Sequence, residues 1–104
     1  MVTFDPIDGS LVIDSNFAIS SVFAIWETSD LLGATGRQLK GAAVSVYGSR
    51  TTIAIYNTQA DKVEELTLLK MGTKERWMVT TPELTISPKA KLFSPALKSS
   101  FAYP

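Results

Sequence analysis

Two β-rich segments, separated only by a short polar turn, limit most strongly what this chain can fold into. RTTIAIYNT (residues 50–58) is dominated by β-branched and aromatic residues, which favour an extended backbone. KVEELTLLK (residues 62–70) follows directly after the polar turn Gln59–Asp61, a spacing that is typical of a hairpin. We therefore expect these two segments to pair as neighbouring strands.

The segments on either side of this hairpin predict further strands. FAISSVFAIW (residues 17–26) is mostly apolar with imperfect alternation, as in a strand that is covered on both faces. Three shorter segments also predict strands: Val2–Phe4, residues 76–83 and Lys91–Phe93. Together these segments indicate five or six strands in the chain.

One segment, TGRQLKGAAVSVYGS (residues 35–49), predicts a helix. Thr35 is followed three residues later by Gln38, which is the spacing of a capping box. Small residues at positions 41–43 and 45 would allow close packing of this helix on a sheet, and Gly48 would end it. The expected fold class is therefore α/β or an α+β fragment, with a mixed β-sheet and one main helix.

The overall composition excludes several classes of chemistry and of partner. The chain contains neither Cys nor His, so disulfides, Cys/His zinc sites, Cys nucleophiles and Ser-His relays are excluded within it. Its formal net charge is zero, which offers no basic field for nucleic acid. The apolar runs are too short to span a membrane, and no signal peptide is visible. We expect an intracellular protein of the cytoplasm or a plastid, with no nucleic-acid or membrane partner.

The stretch DPIDGS (residues 5–10) allows two interpretations. As a tight turn, its proline presets φ, its aspartates bond to nearby backbone, and its glycine tolerates a positive φ. As a metal site, Asp5 and Asp8 would offer the oxygen ligands that hard cations prefer, and the small residues behind them would let a phosphate approach the backbone amides. The residue types alone leave both interpretations open.

The wider context of this stretch resembles a known family. FDPIDGS, followed by IDSNFAISSVFAIW, is similar to the metal-binding motif and the next strand of the fructose bisphosphatase family (class 1). The resemblance continues through TGRQLKGAAVSVYGSRTTIAIY and returns at KLFSP, so it covers essentially the whole chain. It implies that residues 1–104 are a single partial domain, a central fragment of the layered sugar-phosphatase fold.

Within the family, the chain looks most similar to the sedoheptulose bisphosphatase branch. The residues that carry this similarity are Asp14–Phe17, Trp26, Tyr47–Thr52 and Leu92–Pro95. The resemblance implies Mg²⁺-dependent hydrolysis of the C1 phosphate of sedoheptulose 1,7-bisphosphate or fructose 1,6-bisphosphate, in carbon fixation or gluconeogenesis. It also implies that the parent enzyme is a homo-oligomer whose small-molecule partner is the sugar bisphosphate.

The resemblance also assigns roles to individual residues. Asp5 and Asp8 match the carboxylate ligands of the metal, and Ile7 matches a position that ligates through its backbone carbonyl. The backbone amides that match the phosphate-binding positions are those of Gly9, Ser10 and Leu11.

Three departures from the family pattern leave the activity of this chain open. The family takes further acidic ligands and a water-orienting carboxylate from segments outside this chain, so no catalytic set is complete here, and we expect the isolated chain to be inactive. Leu11 stands where a serine is usual. Ala96 lies near a missing asparagine that contacts the second phosphate; Lys98 is a candidate substitute, with a solvated surface lysine as the alternative.

Two alternative functions remain at this point. One is a non-catalytic, truncated or degenerate relative that acts only by association. The other is a monoesterase of the inositol phosphatase type.

Overall fold

A computed structural model describes residues 1–92, without the side chains of Leu11 and Val12, and places them in one six-stranded antiparallel sheet. Each strand lies beside its neighbour in sequence. The strands are β1 Val2–Asp8, β2 Ile19–Trp26, β3 Leu39–Tyr47, β4 Thr51–Asn57, β5 Lys62–Met71 and β6 Lys74–Thr81. Short 3-10 helices at Ser10–Ser15 and Gly36–Gln38 lie between strands, and neither is long and apolar enough to cross a membrane.

The predicted hairpin is confirmed as the β4–β5 pair, whose register runs from Thr52 opposite Thr67 to Asn57 opposite Lys62. The side chain of Asn57 stabilises the turn, because its Oδ1 accepts from the backbone N–H groups of residues 59 and 60 at 3.0 and 3.1 Å. Strands β2 and β6 also lie where their residue types predicted them. The tight β5–β6 turn contains Gly72 at φ 63°, a left-handed conformation that glycine adopts readily.

The predicted helix over residues 35–49 is wrong, because this segment contains strand β3. The backbone N–H of Thr35 does donate to Gln38 Oε1 at 2.9 Å, but this contact caps only the single 3-10 turn Gly36–Gln38. Strand β3 is stabilised along both sides by pairing with β2 and β4, which outweighs a local preference for helix. In the described residues the sheet is therefore antiparallel rather than mixed, and it has no main helix packed on it.

The short strand predicted at Lys91–Phe93 does not form at its two described residues. Lys91 and Leu92 have no regular secondary structure, and Phe93 lies outside the described residues. The neighbouring residues Leu84–Lys91 contain no strand either.

Both faces of the sheet are apolar and neither is covered within residues 1–92. Phe4 and Phe23 stack on one face with ring centroids 6.4 Å apart, and Val22 and Val44 are paired on the opposite face. Among the described side chains no hydrophobic one is buried, and only three polar ones are: Ser21, Ser45 and Thr67. A sheet of this composition needs a packed layer on each face to remove its apolar side chains from water.

Candidate metal and phosphate site

A β-bulge in strand β1 places Asp5 and Asp8 on the same face of the sheet. Asp5 lies opposite Val22 and Asp8 lies opposite Ser20, so three steps along β1 match two steps along β2. Residues two apart on a regular strand share a face, so Val22 and Ser20 do, and so do the aspartates opposite them. Without the extra residue, the three-residue spacing would direct the two carboxylates to opposite faces.

The residues inside the bulge explain why it forms there. Pro6 has no N–H to donate to a neighbouring strand, and β1 is an edge strand, where proline is tolerated. The backbone N–H of Ile7 donates to Asp5 Oδ1 at 3.2 Å. The predicted turn over residues 5–10 is therefore corrected: residues 5–8 end the strand, and the chain turns at Gly9, which has φ 88°.

Both carboxylates are exposed, and one of them has a neighbouring hydroxyl that orients it. Ser20 Oγ donates to Asp8 Oδ2 at 3.3 Å across the β1–β2 pair. None of the four ion pairs found in the described part of the chain involves Asp5 or Asp8. The two carboxylates are thus exposed on one face and unpaired with any cationic side chain among the described residues, so a metal ion could approach them there.

The donor atoms suit Mg²⁺ in kind but are too few in number. Mg²⁺ prefers oxygen ligands in an octahedral shell, and the carboxylates of Asp5 and Asp8 and the backbone carbonyl of Ile7 offer oxygen atoms of this kind. Within residues 1–92, however, no group of three or more His, Cys, Asp or Glu side chains could hold a metal ion. The residues present therefore fit one part of a magnesium site.

A pair of hydroxyls on the opposite face lies directly behind the bulge. Ser21 is 5% exposed, and its Oγ donates to the backbone carbonyl of Pro6 at 2.6 Å. The hydroxyl of Tyr47 lies 3.0 Å from the same Ser21 Oγ. The hydroxyls of Ser21 and, to a smaller extent, Ser45 lower the pKa of Tyr47 below its ordinary value of 10.0, because both can donate to the phenolate.

The contacts of Ser21 and Tyr47 were not predicted from the sequence. The available signal is the pair Ser20–Ser21 inside an otherwise apolar strand, since a buried polar side chain is expected to have a hydrogen-bond partner. The partner itself could not be identified without the register of β1 against β2.

A family comparison covers the residues of this site. Residues 1–81 match the family described as "Fructose-1-6-bisphosphatase, N-terminal domain". The chain belongs to the fructose-1,6-bisphosphatase family. The matched residues include the whole sheet and the bulge in β1.

Individual relatives extend the similarity over the rest of the chain. A chloroplastic sedoheptulose-1,7-bisphosphatase of Triticum aestivum is 35% identical over 104 residues, which are 99% of this chain and 25% of that protein. A class 1 fructose-1,6-bisphosphatase of Campylobacter jejuni is 42% identical over 59 residues, covering 57% of this chain and 20% of that protein. This fructose-1,6-bisphosphatase family chain therefore spans about a quarter or less of the length of these relatives.

A solved structure shares the fold. The apo fructose-1,6-bisphosphatase of Leishmania major has a TM-score of 0.65 to this chain at 27% identity, covering 86% of this chain and 32% of that one. Membership of the layered sugar-phosphatase fold is thereby supported, although the main helix predicted for residues 35–49 is not present.

The remaining predicted site residues of this fructose-1,6-bisphosphatase family chain fall into two groups. Gly9, Ser10 and Leu11 lie in the turn and the first residues of the 3-10 helix directly after Asp8, and their contacts to phosphate stay predictions. Ala96 and Lys98 lie outside the described residues, so the predicted sugar-phosphate contact of Lys98 also stays a prediction.

The lowered pKa of Tyr47 can be checked directly. We expect Ser21→Ala to raise the pKa of Tyr47 towards its ordinary value, because the largest stabilising hydrogen bond to the phenolate is lost. The measurement is an ultraviolet titration of tyrosinate in the native polypeptide, with Tyr47→Phe subtracted to isolate this residue. Ser20→Ala is the matched control, since Ser20 faces the other side; an equal shift in that variant would contradict the assignment.

Proposed function

We propose that this chain is the metal- and phosphate-binding segment of a longer sugar bisphosphatase, which removes the C1 phosphate of sedoheptulose 1,7-bisphosphate or fructose 1,6-bisphosphate. The observation that carries the proposal is the bulge in β1, which brings Asp5 and Asp8 to one face immediately before the turn at Gly9. Family membership supports the reaction type, and similarity to sedoheptulose-1,7-bisphosphatase and fructose-1,6-bisphosphatase supports these two sugars.

In this proposal Asp5, Asp8 and the carbonyl of Ile7 would hold Mg²⁺. Mg²⁺ at this position would neutralise the negative charge that develops on the phosphoryl oxygens and the leaving alkoxide, and it would lower the pKa of a water molecule bound to it. Ser20 orients the carboxylate of Asp8 by donating a hydrogen bond to it. The amides of residues 9–11 would donate to the oxygens of the departing phosphate, as consecutive backbone N–H groups do in other anion sites.

Residues 1–104 would then be a partial domain of a longer polypeptide. Two carboxylates would leave much of an Mg²⁺ shell to water, so further acidic ligands and a carboxylate that orients the attacking water are proposed to come from outside this chain. The same outside segments would cover the two apolar faces of the sheet. Assembly of the parent enzyme as a homo-oligomer, and its place in carbon fixation or gluconeogenesis, stay predictions.

A second candidate function is a non-catalytic relative that acts by association. Two observations favour it: fewer than three metal-ligating side chains converge among residues 1–92, and Leu11 lacks the usual hydroxyl. Because the sheet would be the same in a sugar bisphosphatase and in a non-catalytic relative, only an assay of phosphate release can separate the two functions.

The test begins with the native polypeptide as its source makes it. Its intact mass should be several-fold above the 11.3 kDa of this chain. With Mg²⁺ it should release phosphate from at least one of the two ketose bisphosphates and not from inositol monophosphate, and chelation of Mg²⁺ should stop the release. Release from inositol monophosphate alone would support the inositol phosphatase alternative, and a native mass of 11.3 kDa without release would favour the non-catalytic relative.

A further inference from the structure

We propose that Ser21 and Tyr47 are positioning residues of the metal site, because they hold the bulge of β1 in the shape that keeps Asp5 and Asp8 on one face. This inference rests on the proposed function, since it concerns residues that support the same metal ligands. Ser21 contacts the backbone carbonyl of Pro6, and Tyr47 contacts Ser21, so both hydroxyls act on the bulge through the backbone of Pro6.

The contact between Ser21 and Pro6 lies at the centre of the bulge. Pro6 is between the two aspartates, in the stretch where the regular register of β1 against β2 is interrupted. A bulge leaves backbone groups without a hydrogen-bond partner on the neighbouring strand, and a carbonyl left in this way needs a donor from elsewhere when it faces the protein. Ser21 Oγ supplies that donor to the Pro6 carbonyl at 2.6 Å, and Ser21 itself is 5% exposed.

The direction of the hydrogen bonds makes the two hydroxyls a relay. A serine hydroxyl has one hydrogen, and a carbonyl oxygen can only accept, so the hydrogen of Ser21 is directed at Pro6. While Tyr47 is protonated, Ser21 Oγ therefore accepts in its 3.0 Å contact with the Tyr47 hydroxyl, which is the donor. When Tyr47 loses its proton, the Ser21 hydrogen can donate to the phenolate instead, and this contact lowers the pKa of Tyr47. The relay runs from β3 across β2 to β1 and directs the Ser21 hydrogen to the bulge.

The sheet separates this relay from the carboxylates. Ser20 and Ser21 are consecutive on β2 and therefore point to opposite faces. Ser20 bonds Asp8 directly on the carboxylate face, whereas Ser21 and Tyr47 act on the backbone from the other face. Strand β2 thus acts on β1 in two ways. Ser20 orients the side chain of the proposed ligand Asp8, and Ser21 bonds the backbone of the bulge that lies between Asp5 and Asp8.

The experiment measures Mg²⁺ affinity by titration calorimetry on the native polypeptide, with thermal unfolding measured in parallel. Ser21→Ala should weaken Mg²⁺ binding about 10-fold to 100-fold, the range found when groups behind metal ligands are removed. Tyr47→Phe should weaken it about fivefold, the equivalent of one neutral hydrogen bond. Ser21→Thr, which retains the hydroxyl, should bind Mg²⁺ nearly as the unchanged protein does.

Thr67→Val is the matched control for general destabilisation. Thr67 is also 5% exposed, and its hydroxyl bonds Thr80 at 3.0 Å at the β5–β6 end of the sheet, far along the strand order from β1. This variant should lower the unfolding temperature without changing Mg²⁺ affinity. An equal loss of affinity in Thr67→Val and Ser21→Ala would overturn the inference, because the effect would then follow stability alone.

Asp8→Asn separates failure of this inference from failure of the proposed function. If Asp8→Asn loses Mg²⁺ binding while Ser21→Ala and Tyr47→Phe keep it, the positioning role is wrong and the metal site stands. If Asp8→Asn keeps full binding, the proposed metal site is wrong and the positioning role falls with it. Tyr47→Phe keeps the test decisive should Ser21→Ala fail to fold, because Tyr47 is 43% exposed and loses only its hydroxyl.

Discussion

Asp8→Asn should lower Mg²⁺-dependent phosphate release by the native polypeptide at least about 100-fold in kcat/KM, the upper range for disturbed metal sites. The substitution keeps the shape of the side chain and its contact with Ser20, but it removes the negative charge that a hard cation requires. The measurement is the initial rate of phosphate release from the better of the two ketose bisphosphates, over a range of Mg²⁺ concentrations. Part of the loss should be recovered at high Mg²⁺, because the weakened step is metal binding.

Asp61→Asn is the control for this experiment. Asp61 lies in the β4–β5 turn with φ 52°, a left-handed conformation that asparagine tolerates as well as aspartate does. The substitution changes the net charge by the same amount as Asp8→Asn and should leave release unchanged. Undiminished release in Asp8→Asn would remove the metal assignment from β1.

The 104-residue chain by itself should lack a cooperative unfolding transition, whereas the same residues inside the native polypeptide should unfold cooperatively. Ordering a residue costs about 1–2 kcal/mol of backbone entropy, and burial of apolar surface, at about 25 cal/mol per Å², is the main opposing contribution. None of the hydrophobic side chains that the structure describes is buried, so the sheet alone obtains too little of that contribution. The expected difference is large because it concerns burial of both apolar faces of the sheet rather than one contact.

Near-ultraviolet circular dichroism of Trp26 and Trp77, followed through a urea titration, makes this comparison. The isolated chain should show weak near-ultraviolet circular dichroism, a gradual change of that signal with urea concentration, and binding of a hydrophobic dye. The native polypeptide provides the reference, in which amide hydrogen exchange over β2–β5 should be slow. A sharp transition for the isolated monomeric chain would contradict the need for cover on both faces and weaken the proposal that this is a partial domain.

Most strands could be predicted because their residue types and turns agree with one another. In β4 and β5, β-branched residues lie on both sides of a turn that Asn57 stabilises by local hydrogen bonds. Gly72 similarly marks the β5–β6 turn. Such signals act over a few residues and do not depend on distant contacts, so they are visible in the chain itself.

Strand β3 could not be predicted, because its local signals favour another structure. The Thr35–Gln38 pair forms the expected contact, and the small residues that follow fit a helix as well as a strand. Pairing with β2 on one side and β4 on the other decides in favour of the strand. That pairing joins segments distant in the chain, and local propensity carries no information about it.

The amino-acid sequence already limits the chemistry available to this protein to carboxylate oxygens and backbone amides in DPIDGS, without any Cys or His, in a chain dominated by strands. The arrangement of these groups depends on how the strands pair. In a regular strand the spacing of Asp5 and Asp8 would separate them onto two faces, and pairing against β2 introduces the bulge that unites them. Ser21 and Tyr47 reach that bulge for the same reason, since a register between strands depends on contacts between residues far apart in the chain.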